Sequence, residues 1–144
     1  MTLEQKRLRF GAGVIVGFGM LTWVALVFGV SSPLVLLLDL VTLGGDGAET
    51  LGKTPGQMLG AIMAGLCVGL GVIIWVMAGA HLVRMPHETR TALLAMIWSW
   101  YLVDSSGSIL VGAPVNALAN LTFLVLVVWP IWAARRDERP TATA

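Results

Sequence analysis

Residues Thr91 to Pro130 read TALLAMIWSWYLVDSSGSILVGAPVNALANLTFLVLVVWP, and the fold is decided by how this stretch is read. Two apolar runs meet at the tight pair Ala113-Pro114, and Asp104, Ser105, Ser108, Asn116 and Asn120 lie inside them. A run of about 20 apolar residues crosses the ~30 Å hydrocarbon core of a bilayer as a helix. Polar residues in such a helix are expensive, and they are retained for interhelical hydrogen bonds or for a site. So short a turn makes the two helices antiparallel neighbours, and residues equidistant from it should lie at similar depth. Gly107 and Ser108 then stand level with Asn120, with Asp104 about one turn deeper. Asp104 and Ser108 share a face at i, i+4 spacing, as do Asn116 and Asn120. Together these faces would form a small hydrogen-bonding chamber. An aspartate at mid-membrane costs about 2.5–3.5 kcal/mol on insertion scales, and less towards the boundary.

The remainder of the chain reads as scaffold of the same kind. The 144 residues are 57% hydrophobic and 12% charged, with a mean hydropathy of +0.86, which is not a soluble composition. Without period-2 alternation a β-barrel is excluded. A net charge of +1 makes no case for nucleic acid. We therefore expect an all-α polytopic membrane protein, a four-transmembrane-helix antiparallel bundle forming one domain over residues 1–144. Its helices fall at about 10–30, 57–83, 90–112 and 115–134, with a disordered tail over 137–144. The outer loop, 31–56, should carry a short surface helix after Ser32-Pro33, since LVLLLDLVTL is too short to span. The first helix follows Lys6, Arg7 and Arg9 but is too long for a cleavable signal core, so it reads as an uncleaved span. Thr54 and Gln57 have capping-box spacing and mark the start of the second helix.

Eight of the nine Lys and Arg residues fall at the two termini or in the His81–Arg90 turn, and Lys53 stands alone in the long loop. By the positive-inside rule both termini are cytoplasmic, which in a bacterium means an inner-membrane protein. Gly13 and Gly17 make a smooth step on the first helix, and Ala61, Gly65 and Gly69 recur every four residues on the second. These two stripes are expected to pack together. Cys67, the single cysteine, has no partner for an internal disulfide and reads as a small packing residue.

Three further groups of residues invite a chemical reading. His81, His87 and Glu88 match no metal-ligand spacing on one helix face, and a basic turn at a membrane boundary explains them without a metal. No pair of histidines can stand on opposed helices at one depth, so haem has no ligands, and no cofactor is implied. Trp98, Trp100 and Tyr101 fall near mid-membrane, where indoles need a partner or line a pocket, so quinone or pigment binding stays open. Trp129 and Trp132 suit an interfacial belt.

The layout of four short helices, a longer first outer loop and a glycine-rich first hairpin resembles the small DoxX-like and related bacterial inner-membrane proteins. That resemblance implies a role beside a redox or catabolic system and transfers no site residue. Two functions compete. One is a non-enzymatic accessory or assembly subunit of a larger membrane complex, whose partners are the lipid bilayer and other proteins or further copies of the chain. The alternative is a small carrier or binder of an ion or lipophilic molecule, using the polar cluster around Asp104. No catalytic constellation assembles, because both histidines lie at one end and Asp104 near the other.

Overall fold

The computed structural model describes residues 1–28, 54–110 and 112–137, with the side chains of 54–56 left aside. The expected surface helix and most of the 31–56 loop lie outside the described residues, as do positions 138–144 of the tail. Four long helices make up the described chain: α1 (Leu3–Val27), α2 (Thr54–Val76), α3 (Pro86–Leu110) and α4 (Pro114–Asp137). Each is long and apolar enough to cross a membrane, α2 through its continuation to Arg84.

The boundaries follow local chemistry. α1 begins at Leu3, well before the expected position near residue 10, because Thr2 and Gln5 form a capping box. The Gln5 amide donates to Thr2 Oγ1 at 3.2 Å, and the Thr2 amide donates to Gln5 Oε1 at 2.8 Å. The turns bearing Lys6, Arg7 and Arg9 are therefore helical. Pro86 and Pro114 open α3 and α4, where a missing N–H costs nothing. Past α2 the chain winds into a π turn, Met77–His81, with Gly79 at ψ −127°, and then a single turn Leu82–Arg84. The α3–α4 turn is a Schellman motif. Gly112 sits at φ +89°, its amide donates to Ile109 O at 3.2 Å, and the Ala113 amide donates to Ser108 O at 2.8 Å.

α1 is the central helix, packed between α2 and α4, with α3 on the far side of α4. At the end carrying the two termini, α3 also meets the π turn and Leu82–Arg84. Neighbours run antiparallel, as the paired contacts Gly19 to Ala64 with Ala12 to Gly71, Phe18 to Phe123 with Gly11 to Leu126, and Asp104 to Asn120 with Ser108 to Asn116 require. The buried row of α1 is Leu8, Ala12, Ile15, Gly19 and Thr22, and that of α2 is Gly60, Ala64, Cys67, Gly71 and Ile74. Both alternate steps of three and four, the spacing of a helix–helix seam.

The stripe expected from sequence is not the one used. A Cβ built on Gly13, Gly17, Gly65 or Gly69 would meet nothing within 4 Å, and Ala61 is exposed. The close approach belongs to Gly19, whose Cβ would lie 2.7 Å from Ala64 O, and to Gly71, whose Cβ would lie 2.8 Å from Ala12 O. The reason is angular: residues 17 and 19 differ by about 200° around a helix, so two glycines so close in sequence occupy opposite faces. A third close contact joins α1 to α4. Pro130 has no N–H to give the carbonyl four residues back, Leu126 O, and that oxygen lies 3.0 Å from where a Gly11 Cβ would stand.

Large aliphatic side chains, among them Leu8, Ile15, Ile74, Leu93, Ile97, Val127 and Ile131, fill the core. The exterior is equally apolar: Leu66, Val103, Leu110 and Leu118 are 68, 74, 85 and 69% exposed. With apolar residues on both sides, small size and polarity decide which faces turn inward, as Gln5, Thr22, Ser105 and Asn120 do.

Candidate functional site

The Schellman turn reverses the chain tightly enough that the last two turns of α3 lie against the first two of α4. Asp104 and Ser108, one helical turn apart, face Asn116 and Asn120 across that seam. The Asn120 side-chain amide donates to Asp104 Oδ2. The Asn116 amide donates to the same oxygen at 3.3 Å and to Ser108 Oγ at 2.8 Å. A carboxylate accepts only, so both amides must turn their N–H₂ ends to it, leaving their carbonyls to face elsewhere. Asp104, Ser108 and Asn116 are half-buried and Asn120 is buried. Ser105 stands beside the cluster in sequence, is 6% exposed, and its hydroxyl has no hydrogen-bond partner among the described residues. Both amides converge on Oδ2, so Oδ1 is the atom through which a proton, a cation or a donor group could engage the carboxylate.

The aromatic trio separates into two groups. Trp98 and Tyr101, three residues apart on one face of α3, meet edge to face at 6.1 Å between ring centres. Trp100 points about 200° away from Trp98. It tilts against Phe123 of α4 at 5.9 Å, and Phe123 in turn meets Phe18 of α1 at 5.3 Å. The three therefore do not line one pocket: Trp100 belongs to a stack joining α3, α4 and α1, whereas Trp98 is 43% exposed on the outer face. Trp129 and Trp132 stand together near the terminal end of α4, with the Arg136 guanidinium 3.8 Å over the Trp132 ring.

A second polar cluster, at the end holding the termini, escaped the sequence reading. Arg90 grips Glu4 in a fork: Nε donates to Oε1 and Nη2 to Oε2, both at 2.8 Å, with the two side chains 8% and 9% exposed. One helical position along, Gln5 Nε2 donates at 3.0 Å to Gly79 O, a carbonyl of the π turn where the backbone leaves helical geometry. Glu4 and Gln5 thus tie α1 to α3 and to the kink after α2. The T-x-x-Q cap was a readable signal for Gln5. Nothing in sequence pairs residue 4 with residue 90. His81 and His87 stay exposed at this end.

No protein-family model, curated protein or solved structure matches the chain.

Proposed function

We propose that the protein is a small integral membrane protein of the bacterial inner membrane, acting as a non-enzymatic accessory or assembly subunit of a larger membrane complex. Membrane residence is supported by four spanning-length apolar helices with an exposed apolar surface. Cytoplasmic termini are supported by the cationic end carrying Lys6, Arg7, Arg9, Arg84, Arg90, Arg135 and Arg136. The observation that carries the subunit reading is that, among the described residues, two smooth faces of the bundle stay uncovered. Gly17 on α1, and Gly65 and Gly69 on α2, have open space where side chains would be. In lipid, helices associate by close backbone approach, and small residues unused within the bundle suit a helix from another subunit. The layout resembling DoxX-like proteins agrees with an accessory role.

The test is native mass spectrometry of the protein extracted gently from its own membrane, together with Gly17→Leu and Gly65→Leu. Larger subunits that co-elute with the wild type and are lost from the folded variants are the expected result. A strictly lone chain in the gentlest extraction refutes the subunit reading.

The alternative, a carrier or binder of an ion or lipophilic molecule, is favoured by one observation: an aspartate in an apolar helix held by two asparagine amides, with Oδ1 available. It requires Asp104→Asn, which preserves shape, to abolish binding or transport in reconstituted vesicles. Unchanged uptake would dismiss it.

A further inference from the structure

Two grooves run along α1 at the cationic end, one on either side of Phe10. The first, about 340 Å³, lies between α1 and α4 and is lined by Lys6, Arg7 and Phe10 with Trp129 and Pro130. The second, about 520 Å³, lies between α1 and α2 and is lined by Lys6, Arg9 and Phe10 with Gly13 and Trp75. Phe10 is 68% exposed and forms the ridge between them, and Lys6 belongs to both mouths. Apolar walls thus descend from a cluster of three cations.

Among the described residues, nothing neutralises those cations. Glu4, the acid nearest in sequence, is committed to Arg90. Among the described residues no carboxylate pairs with Lys6, Arg7 or Arg9. Arg9 is held in place by its guanidinium stacking over the Trp75 ring at 5.1 Å, and its Nε is buried without a hydrogen-bond partner among the described residues. The floor of the second groove is bare because Gly13 carries no side chain and a Cβ there would touch nothing.

We propose that this ridge binds one anionic diacyl phospholipid of the cytoplasmic leaflet, with its phosphate at Lys6 between Arg7 and Arg9 and one acyl chain in each groove. Charge complementarity selects the occupant. A basic cluster above paired apolar tracks matches an anionic headgroup above two chains, and basic pockets between helices on the cytoplasmic side are where such headgroups are recognised. A free phosphate would use the cations and leave the tracks empty, and a zwitterionic lipid would fill the tracks without answering the charge. The site rests on the reading of the four helices as membrane spans with cytoplasmic termini.

The experiment uses the full chain in a mild non-ionic detergent, titrated with dioleoylphosphatidylglycerol or dioleoylphosphatidylcholine and read by native mass spectrometry, with inorganic phosphate as competitor. At about fivefold per cation, the wild type should hold one phosphatidylglycerol roughly 100-fold more tightly than phosphatidylcholine. The triple variant Lys6→Gln/Arg7→Gln/Arg9→Gln should erase that preference, whereas Arg135→Gln/Arg136→Gln, at the same end but off the grooves, should keep it. Gly13→Leu, whose Cβ meets nothing within 4 Å and whose side chain occupies one track, should lower phosphatidylglycerol binding at least tenfold with an unchanged melting temperature in detergent alone. Equal binding of the two lipids, a preference that survives the triple variant, undiminished binding by Gly13→Leu, or full displacement by millimolar phosphate would each overturn the proposal. Resistance of the wild type to carbonate extraction from membranes is scored separately, so loss of lipid preference and failure of the membrane reading are told apart.

Discussion

Replacing Gly19 by alanine adds one methyl group at a point of close backbone approach on the α1–α2 seam. The new Cβ would stand 2.7 Å from Ala64 O and 3.0 Å from both Cys67 Cβ and Val68 Cγ2, where ordinary contact begins near 3.4 Å. Ala64 O is backbone and cannot rotate aside, so the helices must part by several tenths of an ångström and forfeit dispersion contacts along the seam. Overpacking of this kind costs about 1–3 kcal/mol, against which alanine regains roughly 0.5–1 kcal/mol of helix propensity. The net expectation is a loss on the order of 1–2 kcal/mol. Gly17→Ala, two residues earlier, meets nothing within 4 Å and keeps only the propensity gain. Two chemically identical substitutions on one helix should therefore differ by about 2 kcal/mol in opposite directions. Reversible unfolding in mixed micelles, followed by tryptophan fluorescence, measures the difference. A Gly17→Ala variant as destabilised as Gly19→Ala would refute the seam described above and restore the Gly13/Gly17 stripe as the packing face.

Glu4→Leu removes the carboxylate that forks the Arg90 guanidinium and should cost about 3 kcal/mol, with Glu4→Leu/Arg90→Met recovering part of the loss; a double-mutant cycle on unfolding free energies reads the coupling. At the α3–α4 seam, Asp104→Asn keeps an acceptor for Asn116 and Asn120, whereas Asp104→Leu takes the acceptor from the buried Asn120 amide and leaves Asn116 with Ser108 alone, so the leucine variant should be less stable by about 2 kcal/mol in the same assay. Gly112→Ala forces a Cβ into the left-handed region at φ +89° and should cost roughly 1 kcal/mol, seen as a lower melting temperature with unchanged helical circular dichroism.

How far the sequence reaches differs from one feature to the next. The α3–α4 hairpin and the meeting of Asp104 and Ser108 with Asn116 and Asn120 were legible because a short turn and i, i+4 spacing act over one or two helical turns. Hydropathy places the start of α1 after the charges of Lys6, Arg7 and Arg9, whereas the capping box of Thr2 and Gln5 sets it at Leu3. The aromatic trio was read as a unit from nearness in sequence, although positions 98 and 100 point apart on any helix.

By itself the sequence determined helical class, the number of spanning-length helices and the reversal at Ala113-Pro114, because length, hydropathy and turn chemistry are local properties. Only the tertiary structure decided which glycines meet, Gly19 and Gly71 and not Gly13, Gly17, Gly65 or Gly69. Both rows offer small residues at helical spacing, and hydropathy cannot rank them when the outer surface is as apolar as the core. The choice is made by what else lies on the same face. Leu8, Ile15 and Thr22 accompany Gly19, and Glu4 must reach Arg90 from a helix turned the same way. Such a constraint couples positions 86 residues apart, and it exists once the helices are side by side.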